Sequence, residues 1–93
     1  MYIRSTHIDI SRVQSKDFPF GSEILNLKVE GKMVKITYIE NLNQPGAATF
    51  EFRMYNVQDE IDFNHTAYTY LGLLEYEQVD YHVFAKMVDQ RND

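Results

Sequence analysis

Asp59, Glu60, Asp62 and His65 are the densest grouping of carboxylates and imidazole in this 93-residue sequence. Oxygen ligands this close together are raw material for a hard-cation site, but their spacing matches no calcium loop. Carboxylates in the first turn of a helix explain the same residues, so no metal is assigned to them. Covalent chemistry finds less support still. The serines Ser5, Ser11, Ser15 and Ser22 all lie in the first quarter, none in a G-x-S-x-G context. Gly21, Gly31, Gly46 and Gly72 are too widely spaced to cradle a phosphate. The absence of cysteine excludes thiol catalysis, disulfides and Cys-type zinc sites. The sequence therefore reads as non-enzymatic, with no catalytic residue and no cofactor.

Binding chemistry is better represented. Residues 54–85 contain no Lys or Arg, yet they hold six carboxylates and five tyrosines, Tyr76 among them. Residues 1–50 carry six Lys/Arg against five Asp/Glu, and residues 51–93 carry three against nine; the balances of +1 and −6 sum to the net −5. An acidic half repels phosphates, so direct nucleic-acid binding is not expected, while a basic protein surface would be attracted. Tyrosine supplies a flat, amphipathic contact suited to interfaces. The partner-binding residues predicted on these grounds are Tyr55, Asp59, Glu60, Asp62, Tyr68, Tyr70, Glu75, Glu77, Asp80 and Tyr81. In its sharpest form this reading is a DNA mimic, an inhibitor whose carboxylates imitate phosphate rows against a nucleic-acid-binding protein. The alternative is a structural or assembly subunit whose acidic half is only a solvated face. Lys28, Lys32 and Lys35 form a small basic cluster that the rest of the chain does not extend.

Composition sets the frame around these residues. Apolar residues at 44% and charged residues at 25% suit one globular domain spanning 1–93. No apolar run approaches the ~20 residues that span a bilayer, and Arg4, His7 and Asp9 interrupt the start of the chain, so a cytoplasmic location is expected. So short a chain buries a modest core, and terminal strands offer open edges, which together predict a homodimer. Abundant Ile, Asn, Lys, Tyr, Phe and Met fit an AT-rich coding sequence such as many phages carry.

The predicted fold class is α+β: an antiparallel sheet of about four strands, a short helix after residue 56, and a C-terminal helix packed on one face. Residues 2–13 read as a first strand with His7 a surface or half-buried residue in its middle, and residues 14–22 as a connection in which Phe18 and Phe20 flank Pro19. The clearest signal is a hairpin over residues 23–40 turning at Glu30-Gly31. That turn would pair Val29 with Lys32, Leu27 with Val34, Leu25 with Ile36 and Glu23 with Tyr38, giving one apolar face. Residues 41–48 form a loop marked by Pro45-Gly46. Strict alternation marks 49–55 as a strand, with Phe50, Phe52 and Met54 inward and Tyr55 on the solvent side. This strand is predicted to share the hairpin's sheet. Asn56 would cap a short helix holding Asp59 and Glu60 in its first turn, with Val57 and Ile61 facing the sheet and the end near Asn64. From Leu73, the residues Tyr76, Val79, Val83, Phe84, Met87 and Val88 fall on one helical face, with Asp80 a misfit inside it. The rival reading is a strand in which Tyr81, Val83, Ala85 and Met87 alternate; the length and the lack of a turn signal favour the helix.

Overall fold

The computed structural model describes residues 1–41 and 45–91; part of the 41–48 loop thus lies outside the described residues. Among the described residues, seven strands make two antiparallel sheets, with one helical turn beside them. The first sheet has the order β1-β4-β3, from β1 (Tyr2–Asp9), β4 (Met33–Glu40) and β3 (Glu23–Glu30). The second has the order β2-β5-β7-β6, from β2 (Val13–Pro19), β5 (Ala47–Tyr55), β7 (Val79–Arg91) and β6 (Thr69–Tyr76). Ile8, Val34 and Ile36 of the first sheet share one core with Phe18, Phe52, Met54, Leu74, Val83 and Ala85 of the second. The layers are a β-sandwich, each hiding its apolar face on the other. The Phe18 and Tyr38 rings meet edge-on across it at 5.1 Å.

The single first strand of the sequence reading is two. β1 ends at Asp9 and β2 begins at Val13, in the other sheet. Gln14 fastens the corner: its Oε1 accepts the Asp9 N–H at 2.9 Å, while its Nε2 donates to the Asp9 carbonyl and to Ser11 Oγ. Phe18, assigned to a connection, is therefore a strand residue 2% exposed in the core. Pro19 is tolerated because β2 is an edge strand and needs no second ladder.

The predicted hairpin is present as β3 and β4, but it turns at Gly31-Lys32, with Gly31 at φ 64°. A positive φ at the first loop residue is what glycine permits there. Val29 faces Val34 and Leu27 faces Ile36, a register moved by two positions. A two-residue shift keeps each side chain on its face, so the apolar side stays inward. Leu25 does not follow, because a bulge between Ile24 and Asn26 turns it out to 46% exposure and leaves Ile24 packed on the core. Nor do the hairpin and β5 share a sheet, since β4 pairs with β1 and β5 pairs with β2 and β7. Phe50 and Phe52 meet the hairpin's apolar side across the core rather than beside it. Alternation assigns a side chain to a face but is silent on which strand lies alongside.

The α+β expectation fails at both helices. The segment predicted as a C-terminal helix is the β6–β7 hairpin, with Tyr76 opposite Val79. Its turn residues, Glu77 and Gln78, have φ of 51° and 65°, so both sit in the left-handed region without a glycine. The turn is of the primed hairpin kind, which ordinarily announces itself with Asn-Gly, and here it has no sequence mark. Val83 and Ala85 alternate into the core and Tyr81 packs against it, as the rival strand reading required, while Asp80 points outward. Residues 56–59 make a turn instead of a helix. The Asn56 side chain accepts the Gln58 N–H at 2.8 Å and Asp59 returns a carboxylate to the Asn56 N–H at 3.0 Å, a local exchange that competes with helix. The one helical element among the described residues is a 3₁₀ turn at His65–Ala67.

Candidate functional site

Strand order dictates what the acidic, tyrosine-rich segment must do. β5 and β6 are each antiparallel to β7, which lies between them, so they run parallel to one another. Parallel strands need a crossover of roughly a dozen residues, and residues 56–68 supply it as a strap over the outer face of the second sheet. That face presents Glu51, Arg53 and Tyr55 from β5, opposite Lys86, Phe84 and His82 of β7.

Phe63 anchors the strap. Its ring stacks on Tyr55 at 5.1 Å and meets Tyr68 at 4.9 Å and Phe84 at 5.4 Å, both edge-on, with the Arg53 guanidinium 4.9 Å from its centre. Beneath it the polar groups form a connected network. Tyr55 Oη donates to Asp62 Oδ1 at 2.6 Å and accepts from Arg53 at 3.2 Å. Arg53 Nε also meets Glu51 at 2.9 Å and Tyr68 Oη at 3.2 Å, and the Tyr68 hydroxyl donates to Glu51. Arg12 reaches Asp62 and the Glu60 carbonyl, each at 3.4 Å, and lies 4.8 Å from the Tyr55 ring centre. The phenol hydrogen bonds hold both carboxyls below the ordinary carboxylate range, Asp62 through Tyr55 and Glu51 through Tyr68, with Arg12 and Arg53 adding attraction. The Tyr68 phenol is pushed up, chiefly by its bond to Glu51.

Of the ten predicted partner-binding residues, the structure thus places Tyr55, Asp62 and Tyr68 in an intramolecular clasp, and Tyr55 is only 1% exposed. Tyr81 turns inward, opposite Leu74, and packs on the core. Glu75, Glu77 and Asp80 gather at the turn end of the β6–β7 hairpin, with Asp59 and Glu60 on the strap that adjoins it, while Tyr70 lies toward the other end of β6, opposite Phe84. Glu75 and Asp80 are exposed and directly opposite each other across the β6–β7 ladder, with Glu77 exposed in the turn between them. The start of the strap lies beside this tip: Asn56, Val57 and Gln58 share a cleft of about 310 Å³ with Gln78, Val79 and Asp80. Asp59 and Glu60 continue directly from that wall. Tyr70 shares the hairpin's outer side, bonding His82 Nδ1 through its hydroxyl at 2.8 Å. Exposed Leu73 and Val57 add apolar surface.

Like charges directly opposed on a sheet destabilise it. Glu75 and Asp80 have no ion-pair partner among the described residues, whereas Asp62 and Glu51 do. The residues missed from sequence are Arg12, Arg53, Glu51, Phe63 and His82. Arg53 and Glu51 had a visible signal, since they alternate on the same side of β5 as Tyr55. Arg12 had none, as it arrives from a distant corner. Among the described residues no three His, Asp or Glu side chains converge as metal ligands, and no helix is long and apolar enough to cross a membrane. Compared with known protein families, with curated proteins and with solved structures, the chain matches none.

Proposed function

We propose that this chain is a non-enzymatic binding protein that holds a basic protein surface with the acidic end of its second sheet. The working residues are Glu75, Glu77 and Asp80 on the β6–β7 hairpin and Asp59 and Glu60 on the adjoining strap, with Tyr70, Leu73 and Val57 giving apolar contact. The observation that carries this reading is the Glu75–Asp80 pair. Two carboxylates directly opposed cost the hairpin stability, and a cationic side chain set between them would remove that cost. Tyr55, Asp62 and Tyr68 serve the same surface indirectly, by fixing the strap. Imitation of DNA against a nucleic-acid-binding protein is the narrower form of the proposal, and it adds the requirement that DNA compete for the same partner.

The test is binding of partners recovered by pull-down, measured at two salt concentrations. Glu75→Lys with Glu77→Lys should abolish binding, first through the association rate, while Lys28, Lys32 and Lys35 variants bind normally. The same Glu75→Lys change places a cation opposite Asp80, so stability should hold or rise by roughly 0.2–1 kcal/mol. Unchanged affinity in the double variant would return the acidic end to plain solvation. A second reading, an assembly subunit, is favoured by a different feature, the open edge of β1.

A further inference from the structure

A sandwich of two open sheets has four edge strands, and each is a template for another chain unless something blunts it. Three are blunted here. β2 carries Lys16 and Pro19. β3 bulges at Leu25 and presents Lys28. β6 bulges between Tyr70 and Gly72. Even the overhang of β7 beyond Ala85 is broken by a bulge where Asp89 and Met87 pair with successive residues of β5.

β1 is different. It pairs with β4 in unbroken register from Tyr2 to Asp9 and contains neither Lys nor Pro. Its second half is capped from outside: Gln14 bonds both the N–H and the carbonyl of Asp9, and Lys16 Nζ reaches the His7 carbonyl at 3.3 Å. Those contacts also fix which main-chain groups face away from β4. They are the groups of the odd-numbered residues, so by strand alternation the N–H and C=O of Ile3 and Ser5 face outward too. Among the described residues no hydrogen bond covers them. Around them stand Tyr2 at 55% and Ile3 at 70% exposure.

We propose that residues 1–5, the start of the β1 edge, add edge-to-edge to the same segment of a second copy, antiparallel about a two-fold axis at Ile3 that also sets Met1 opposite Ser5. The two three-stranded sheets then become one of six strands. The occupant is a second copy because the segment complements itself in this register. Ile3 lies on Ile3, exchanging both main-chain hydrogen bonds, and Tyr2 faces Arg4 of the other copy. Within one chain the Arg4 guanidinium already stands 5.2 Å from the Tyr2 ring centre, so the symmetric pairing repeats a ring–cation contact the strand makes alone. Each Arg4 also brings its own counter-charge, Glu40 at 3.0 Å. The interface is isologous, as a two-fold dimer requires.

Sedimentation of the full chain at high micromolar concentration tests this. Wild type should run at twice the 11.0 kDa chain mass. Ser5→Pro removes one outward N–H that β4 does not use, and Ile3→Lys sets charge against charge at the axis; both should run as the single chain with the thermal midpoint little changed. Because the chain has no cysteine, Ile3→Cys should give a disulfide-linked dimer on oxidation, while Leu25→Cys on the bulged β3 edge should not. If Ser5→Pro fails to fold, Ile3→Lys and Ile3→Cys decide. Wild type running as a single chain, or a dimer that survives Ile3→Lys and leaves Ile3→Cys unlinked, overturns the proposal.

Discussion

Phe63→Ala isolates what holds the strap. The ring has three aromatic neighbours at 4.9 to 5.4 Å and one guanidinium at 4.9 Å, and none of these is in the sandwich core. Truncating a fully buried phenylalanine costs about 3–5 kcal/mol. Phe63 is half-buried, so roughly half of that, about 2 kcal/mol, is the expected loss. The ring contacts lie inside this figure, since truncation removes them together. For a domain of this size, a loss of about 2 kcal/mol lowers the thermal midpoint by roughly 8–16 °C. Urea unfolding followed by circular dichroism gives the free energy, and amide exchange locates it. Amides of residues 56–64 should lose protection while those of Val34, Ile36, Phe52 and Val83 keep theirs relative to global unfolding. Val57→Ala, at an 81% exposed position of the same strap, should stay within about 0.5 kcal/mol of wild type. A Phe63→Ala loss below about 0.5 kcal/mol, the size of an ordinary surface change, would refute the anchoring role.

The strained turn makes its own prediction: Glu77→Asn with Gln78→Gly should stabilise the hairpin by about 1–2 kcal/mol in the same urea assay, because these residues relieve two left-handed positions. No gain would mean that the turn stores no strain. Acid should open the strap before the core. The folded Asp62 and Glu51 carboxyls lie below their ordinary values, so their contribution is complete above the ordinary carboxylate range of about pH 4 and is lost as pH falls through the lowered values. Near-ultraviolet tyrosine signals should therefore be flat through neutrality and change only below about pH 4, and Asp62→Asn with Glu51→Gln should flatten that limb. A transition at or above the ordinary range would contradict the assignment.

Faces were legible from sequence wherever apolar and polar residues alternate strictly along a strand. Phe52 and Met54 alternate with Glu51, Arg53 and Tyr55, and Val34 and Ile36 with Lys35 and Thr37, so each apolar set was assigned to the interior it occupies. β7 fails this rule for a physical reason. It is one of the two inner strands of its sheet, with Val83 and Ala85 in the core on one side and Phe84 under Phe63 on the other. Phe84 interrupts the polar outer row of His82 and Lys86, and the bulge between Met87 and Asp89 breaks the alternation beyond it, so the apolar residues mimic the broad stripe of a helix. The covering strap was itself unreadable, because a single phenylalanine among polar residues does not reveal that it bridges two parallel strands. The turn that would have split the false helix carries Glu-Gln instead of Asn-Gly.

The candidate surface was legible for a different reason, and only in part. Glu75, Glu77 and Asp80 are exposed in the hairpin, and Glu75 and Glu77 would be exposed on the predicted helix as well, because carboxylates without cations seek water in either structure. Tyr55, Asp62 and Tyr68 left that set because of Arg53 and Arg12. Arg53 borders the acidic run, and Arg12 lies 50 residues from Asp62. A run free of Lys and Arg along the chain is therefore not free of them in space. After both arginines are matched, the carboxylates of the stretch without an ion pair among the described residues are Asp59 and Glu60 on the strap and Glu75, Glu77 and Asp80 at the hairpin tip, and it is on these that the proposed function rests.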